Sequence, residues 1–143
     1  MKAPIQRALA LCMAAALVFS LAPAAAAQEQ TVTISSAKDF AVFSQNCARD
    51  VYSQGLTVEL TADLDLTGEN ISPVPIFQGT FHGNGHTISG LSFDKKGSKV
   101  GLFRTLTQSA VVEDLTVTGT LEPQGTASSV GLLAGENYGT IRR

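Results

Sequence analysis

The chain has 143 residues, a formal net charge of −2, 44% hydrophobic and 15% charged residues, two cysteines and no tryptophan. That length suits one domain. The sparse, slightly acidic charge argues against nucleic acid as a partner, and two cysteines cannot form the disulfide framework of a small secreted scaffold. Residues 1–27 read as an export signal. Lys2 and Arg7 make a charged start, 8–21 is an uncharged apolar run, and Ala22-Pro23-Ala24-Ala25-Ala26-Ala27 offers the small residues a signal peptidase needs, with cleavage after Ala27. A run of that length could also stay in a bilayer as an anchor. Pro23, the alanine-rich end and the N-terminal placement favour cleavage. Cys12 follows Leu11 rather than a small residue, which weighs against a lipoprotein. Beyond residue 27 there remain 8 basic and 12 acidic residues and one cysteine, Cys47. Stability must therefore come from packing and backbone pairing.

The segment 28–55 opens with a β-like run, Thr31-Val32-Thr33-Ile34. Ser36 followed by Asp39 reads as a helix N-cap with an acidic first turn. Phe40, Phe43, Cys47 and Val51 then share one helical face, and Gln54-Gly55 supplies a stop. An apolar helical stripe ahead of a repeat array is suited to cap its first coil. Cys47 on that stripe reads as a buried, inert thiol.

From residue 56 the period becomes two. Leu56, Val58 and Leu60 alternate with Thr57, Glu59 and Thr61, and Leu64 and Leu66 continue the inward set. A loop over 67–75 turns on Gly68 and Asn70, with Pro73 and Pro75 unable to donate to a ladder. The stretch 77–93 organises the remainder. Phe77 and Phe81 bracket Gly79-Thr80, the chain bends on Gly83-Asn84-Gly85, and Thr87-Ile88-Ser89-Gly90-Leu91-Ser92-Phe93 follows. Glycine and asparagine tolerate positive φ, so this bend costs little.

Two phrases recur. One is apolar-x-x-apolar-x-apolar, at Ile88–Leu91–Phe93, at Val112–Leu115–Val117 and, more weakly, at 61–66, with a further copy starting at Ile141. The other is Val100-Gly101-Leu102-Phe103, answered 30 residues later by Val130-Gly131-Leu132-Leu133. Recurrence at 24 to 30 residues is a solenoid signature. Stacked coils would align Leu64, Leu91 and Leu115 in one inward column and Leu66, Phe93 and Val117 in another. The reading is an all-β chain, a short right-handed parallel β-helix of about three coils over 56–143, with an N-terminal capping α-helix.

The run Phe-x-Gly-Thr-Phe-x-Gly-Asn-Gly-His-Thr-Ile-x-Gly-Leu at 77–91, with Val-Gly-Leu-Phe at 100–103 and Val-Gly-Leu-Leu-Ala-Gly-Glu-Asn-Tyr-Gly-Thr-Ile at 130–141, resembles the GLUG-repeat β-helices of bacterial surface and secreted proteins. These include non-catalytic regions of IgA-peptidase-type proteins. The resemblance covers about 57–141 and rests on Gly79, Gly83, Asn84, Gly85, His86, Gly90, Leu91, Gly101, Leu102, Phe103, Gly131, Leu132, Gly135 and Gly139. It departs at His82, where related sequences usually carry Asp. What it implies is an exported, repetitive, surface-associated module, with no catalytic residues to transfer.

Chemistry-bearing residues are few. His82 and His86 flank the bend and could approach one metal ion, but two ligands without a nearby Cys or carboxylate make a weak site, and turn histidines capping backbone groups are the plainer reading. Asp63, Gly90 and Asp114 would share one slot, setting two acids two coils and about 10 Å apart, near the spacing of an inverting carboxylate pair. Ser92 and Thr116 would share the slot of Asp65 and interrupt any acidic column. Asp at a bend is ordinary turn chemistry. Lys95, Lys96 and Lys99 form a solvated basic turn within reach of anionic cell-wall polymer.

The expected function is therefore a non-enzymatic, exported β-helix module, acting in adhesion or as a spacer at the cell surface, with cell-wall or host glycan or protein as partner and no cofactor. The alternatives are the N-terminal part of a glycan-active β-helix enzyme (lyase or hydrolase) or of a large surface peptidase. Gly139-Thr140-Ile141-Arg142-Arg143 starts a strand with no cap after it. The sequence thus reads as an N-terminal fragment of something larger or, at this length, as a chain that self-associates through its C-terminal β-edge. N-terminal sequencing of the exported protein is expected to begin at Gln28; an intact residue 1 on a membrane-bound product would contradict the cleavage reading.

Overall fold

The computed structural model describes residues 29–93 and 97–143; the expected signal segment, with Lys95 and Lys96, lies outside them. Thirteen strands and one helix follow in order. They are β1 (Thr31–Ile34), α1 (Ala37–Asn46), β2 (Thr57–Leu60), β3 (Leu64–Asp65), β4 (Val74–Phe77), β5 (Thr80–His82), β6 (Thr87–Phe93), β7 (Lys99–Val100), β8 (Phe103–Leu106), β9 (Val111–Glu113), β10 (Thr116–Leu121), β11 (Ser129–Val130), β12 (Ala134–Asn137) and β13 (Thr140–Arg142). Every pairing is parallel. The sheets are β1-β2-β5-β9-β13, β3-β6-β10, β4-β8-β12 and β7-β11. The chain therefore winds as a parallel β-solenoid. Three full circuits start at β2, β5 and β9, preceded by β1 and followed by β13.

Alternation within each strand sends one set of side chains inward. Val58, Phe81 and Val112 stack at the same register position of the first sheet and are almost wholly buried. Phe77 lies over Leu106, and Val74 over Phe103, in the third. Phe43, Phe77, Phe81 and Phe103 form a chain of ring contacts with centroids 5.3–6.3 Å apart, and Phe40 packs edge-on against Phe43. Offset and edge contacts of this kind add about 0.5–1.5 kcal/mol each beyond area burial.

Helix α1 carries two members of that chain, and so closes one end of the coil interior. Its N-cap is Ser36, whose hydroxyl accepts from the Asp39 N–H, while the Asp39 carboxylate accepts from the N–H and hydroxyl of Ser35. The reciprocal bonds satisfy donors the first turn would otherwise leave bare. The buried Ser44 hydroxyl donates to the Ser72 carbonyl at 2.6 Å and ties the helix to the loop before β4. The expected stripe holds for Phe40, Phe43 and Cys47 but not for Val51, which is 72% exposed. The helix stops at Asn46, and the turns over 48–55 carry Val51 off the helical face.

The expected columns are corrected too. Leu64 lies beside Ile88, and Ile88 beside Val117; Leu91 faces Gly119, and Phe93 faces Leu121. The recurring phrase misleads because the bend between the first and second sheets differs in length from coil to coil. Val58 to Leu64, Phe81 to Ile88 and Val112 to Val117 start and finish in the same two columns, with six, seven and five steps between. Gly90 absorbs a further residue. It is the bulge where β6 slips against β10, at φ +71°, and a Cβ there would overlap the Thr67 hydroxyl. The second phrase begins in register, Val100 beside Val130, then slips by one so that Phe103 meets Ala134 rather than Leu133.

Phe81→Ala is expected to cost about 3–5 kcal/mol, since it opens the centre of the aromatic chain. Gly79→Ala should also destabilise, because its Cβ would overlap the Leu56 carbonyl and meet that of Ser53 at 2.8 Å. Val51→Ala should change stability by less than about 0.5 kcal/mol. Denaturant midpoints of the three variants check this ordering.

Candidate functional site: the outward columns of the first sheet

The first sheet has two outward columns. Thr31, Thr57, Thr80, Val111 and Thr140 form one. Thr33, Glu59, His82 and Glu113 form the other, extended by Arg142. In the second column each side chain from Glu59 onward contacts the next rung. His82 Nδ1 lies 2.5 Å from Glu113 Oε1, His82 Nε2 lies 3.8 Å from Glu59 Oε1, and Arg142 Nε donates to Glu113 Oε2 at 2.6 Å. Asn84, from the bend after β5, donates through Nδ2 to Glu59 Oε2 at 2.8 Å and to the Leu60 carbonyl at 2.9 Å. Glu59 side chains would repel Glu113 if stacked directly; His82 separates them.

The bend places the second polar group. Asn84 (φ 53°) and Gly85 (φ 77°) turn the chain, and the Gly83 and Gly85 N–H groups donate to the Glu113 and Asp114 carbonyls of the next coil at 2.8 Å. His86 then leaves the turn toward Asp63 of the previous coil, with Nδ1 3.1 Å from Oδ1, and the same oxygen accepts from the Thr87 N–H at 2.9 Å. The two histidines thus face different carboxylates, which corrects the expectation that none lay near and that the rings cap backbone groups. Among the described residues, no three His, Cys, Asp or Glu side chains are gathered as a metal donor set.

The proposed acid pair is corrected. Asp63 sits against Thr87, whereas Asp114 (φ 50°) occupies the bend opposite Gly85 and bonds it through backbone. Asp65 pairs with Ser89, not Ser92. Of the motif residues, Gly79, Gly83, Gly101, Gly131 and Gly139 each stand where a Cβ would overlap a carbonyl oxygen, and Gly135 where it would press on Arg104. Leu91, Leu102 and Phe103 are buried, and Leu132 is half-buried. These residues act through close stacking. Lys99 reaches across one rung to Glu136, Nζ to Oε2 2.6 Å. Burial pushes the Cys47 thiol up to about 12, which keeps it protonated and unreactive.

The Glu59–His82–Glu113–Arg142 column escaped the sequence reading. A signal was present: each of the four directly follows an inward apolar residue, Val58, Phe81, Val112 and Ile141. Recognising it requires the irregular steps between coils, which the repeated phrases conceal.

A shallow groove of about 310 Å³ lies nearby, lined by Leu66, Gly68, Glu69, Ile71, Leu91 and Phe93 among others. It exists because β3 is two residues long while β6 runs for seven.

Comparison with known proteins finds two partial relatives. The chain is 34% identical over 90 residues to a Gly-rich membrane protein of Evansella cellulosilytica, a match covering 59% of this chain and 10% of that protein. It is 36% identical over 100 residues to halomucin of Haloquadratum walsbyi, covering 58% of this chain and 1% of halomucin. The chain therefore spans a tenth or less of these relatives. No protein-family model and no solved structure matches it.

Several carboxylates lie below their ordinary values. The Arg142 guanidinium bonded to Glu113 lowers that group, with His82 adding to the effect. The Thr87 N–H and then His86 lower Asp63, Thr67 lowers Asp65, and the Ser35 N–H lowers Asp39. A carboxylate depressed in the folded state contributes stability that is complete above its unfolded value and is lost as pH falls through the folded one. Stability is thus expected to hold down to about pH 5, then fall steadily toward pH 2. Glu113→Gln should flatten part of that fall, as read by thermal melts across the range.

Proposed function

We propose that the chain is a non-enzymatic β-helix module, exported and displayed at the cell surface, where it acts as an adhesion or spacer element built of GLUG-type repeats. The observation that carries this reading is the employment of its acids. Glu59, Asp63, Asp65 and Glu113 are each engaged by a neighbouring rung or by local backbone, as fasteners between or within coils. A catalytic acid pair needs two carboxylates converging on a substrate-sized gap with at least one oxygen free to take or give a proton. Glu59 and Glu113 are instead separated by His82, and Asp63 and Asp65 are held at and beside β3.

The membrane and mucin-type names of the two relatives support a surface setting for this chain. Its partner is a cell-wall or host glycan or protein, met by the Thr-rich column of the first sheet and its charged neighbour.

Two assays test the proposal together. Protease shaving of intact cells should remove the chain, and panels of cell-wall and host polysaccharides should show retention without depolymerisation. Reducing-end or unsaturated-product release that Glu113→Gln or Asp63→Asn abolishes would overturn the non-enzymatic reading. Protection from shaving in unbroken cells would overturn the surface assignment.

A further inference from the structure

His82 is the one side chain of the outward column that touches a carboxylate on both sides. From β2 it meets Glu59, itself held by Asn84. From β9 it meets Glu113, itself held by Arg142 of β13. The other titratable pair on the bend, His86 with Asp63, is separate. An ionised carboxylate only accepts, and a neutral imidazole carries one N–H, so an N–H faces each carboxylate only in the imidazolium, bonding distance being reached at Glu113 and a longer ion-pair contact at Glu59.

The two contacts are not equal. Nδ1 is 2.5 Å from a carboxylate fixed by Arg142, whereas Nε2 is 3.8 Å from Glu59. Loss of one proton therefore leaves the N–H on Nδ1 and turns the bare lone pair of Nε2 toward Glu59. Glu59 also anchors the bend through Asn84, and that bend holds the Gly83 and Gly85 N–H groups on the next coil.

We propose that His82 is a proton-operated latch across three successive coils. Charged, it joins Glu59 to Glu113 and holds the Gly83–His86 bend in place. Neutral, it keeps only Glu113, and the Glu59–Asn84 side loosens. Imidazole is the side chain suited to such a device, because its charge changes between pH 5 and 8. The contacts are half-exposed, so the device adjusts local opening and leaves the fold intact.

The test is amide hydrogen exchange by NMR on the full chain at pH 6 and pH 8, corrected for intrinsic rates, with the imidazole nitrogens followed in the same samples. Gly83, Gly85 and His86 amides should open about twofold to fivefold more at pH 8, the range an exposed ion pair supports. His82→Gln and Glu59→Gln should each remove that difference, and His86→Gln should keep it. Equal protection at both pH values in the unaltered chain overturns the proposal. So does a difference that survives His82→Gln or disappears only with His86→Gln, which would assign it to the Asp63 pair.

Discussion

Every coil of a parallel solenoid must return to its starting column one rung higher, about 4.8 Å along the axis. The rest of this structure follows from that requirement. Inward positions have to fill a shared interior, so a phenylalanine, Phe81, occupies one column with two valines, Val58 and Val112. Corners bring backbone against backbone, so glycine stands at Gly79, Gly83 and Gly139, where a Cβ would overlap the coil below or above. Coil length varies at the bends and at the Gly90 bulge.

That division explains what could be read from the sequence. Period-two alternation, the glycine-rich bends and the Ser36 cap are local signals, and together with the recurring phrases they led to the solenoid, its capping helix and most of the core. Register is a relation between distant residues. The repeated apolar phrase suggested Leu64, Leu91 and Leu115 as neighbours, but the phrase at 112–117 straddles a corner that Ile88–Phe93 has already passed. A bulge at Gly90 and a one-residue slip after Gly131 add to the offset. The acid pair at Asp63 and Asp114 failed with it. The ladder through His82 was invisible for the same reason, although Glu59 had been read as outward and His82 as part of a bend.

Exposed ion pairs contribute little singly, about 0–1 kcal/mol, and are screened by salt. A column differs in one respect. Parallel register puts its members on successive rungs whether or not they attract, so unfavourable neighbours cannot simply swing apart. Keeping like charges off adjacent rungs is then a condition for stacking, and the order Glu59, His82, Glu113, Arg142 meets it. Their combined effect is to exclude shifted pairings, in which one carboxylate would face another.

The helix at the start of the solenoid also gives the molecule a direction. In an array whose coils contact only their neighbours, order can spread from any well-formed unit. Phe40 and Phe43 place the densest aromatic packing at the end made first, where α1 meets the coils carrying Phe77 and Phe81. A chain emerging N-terminus first from a ribosome or a membrane pore would complete this seed early, and each later coil would find a finished edge to settle on. The cap is thus placed to serve as a primer as well as a lid.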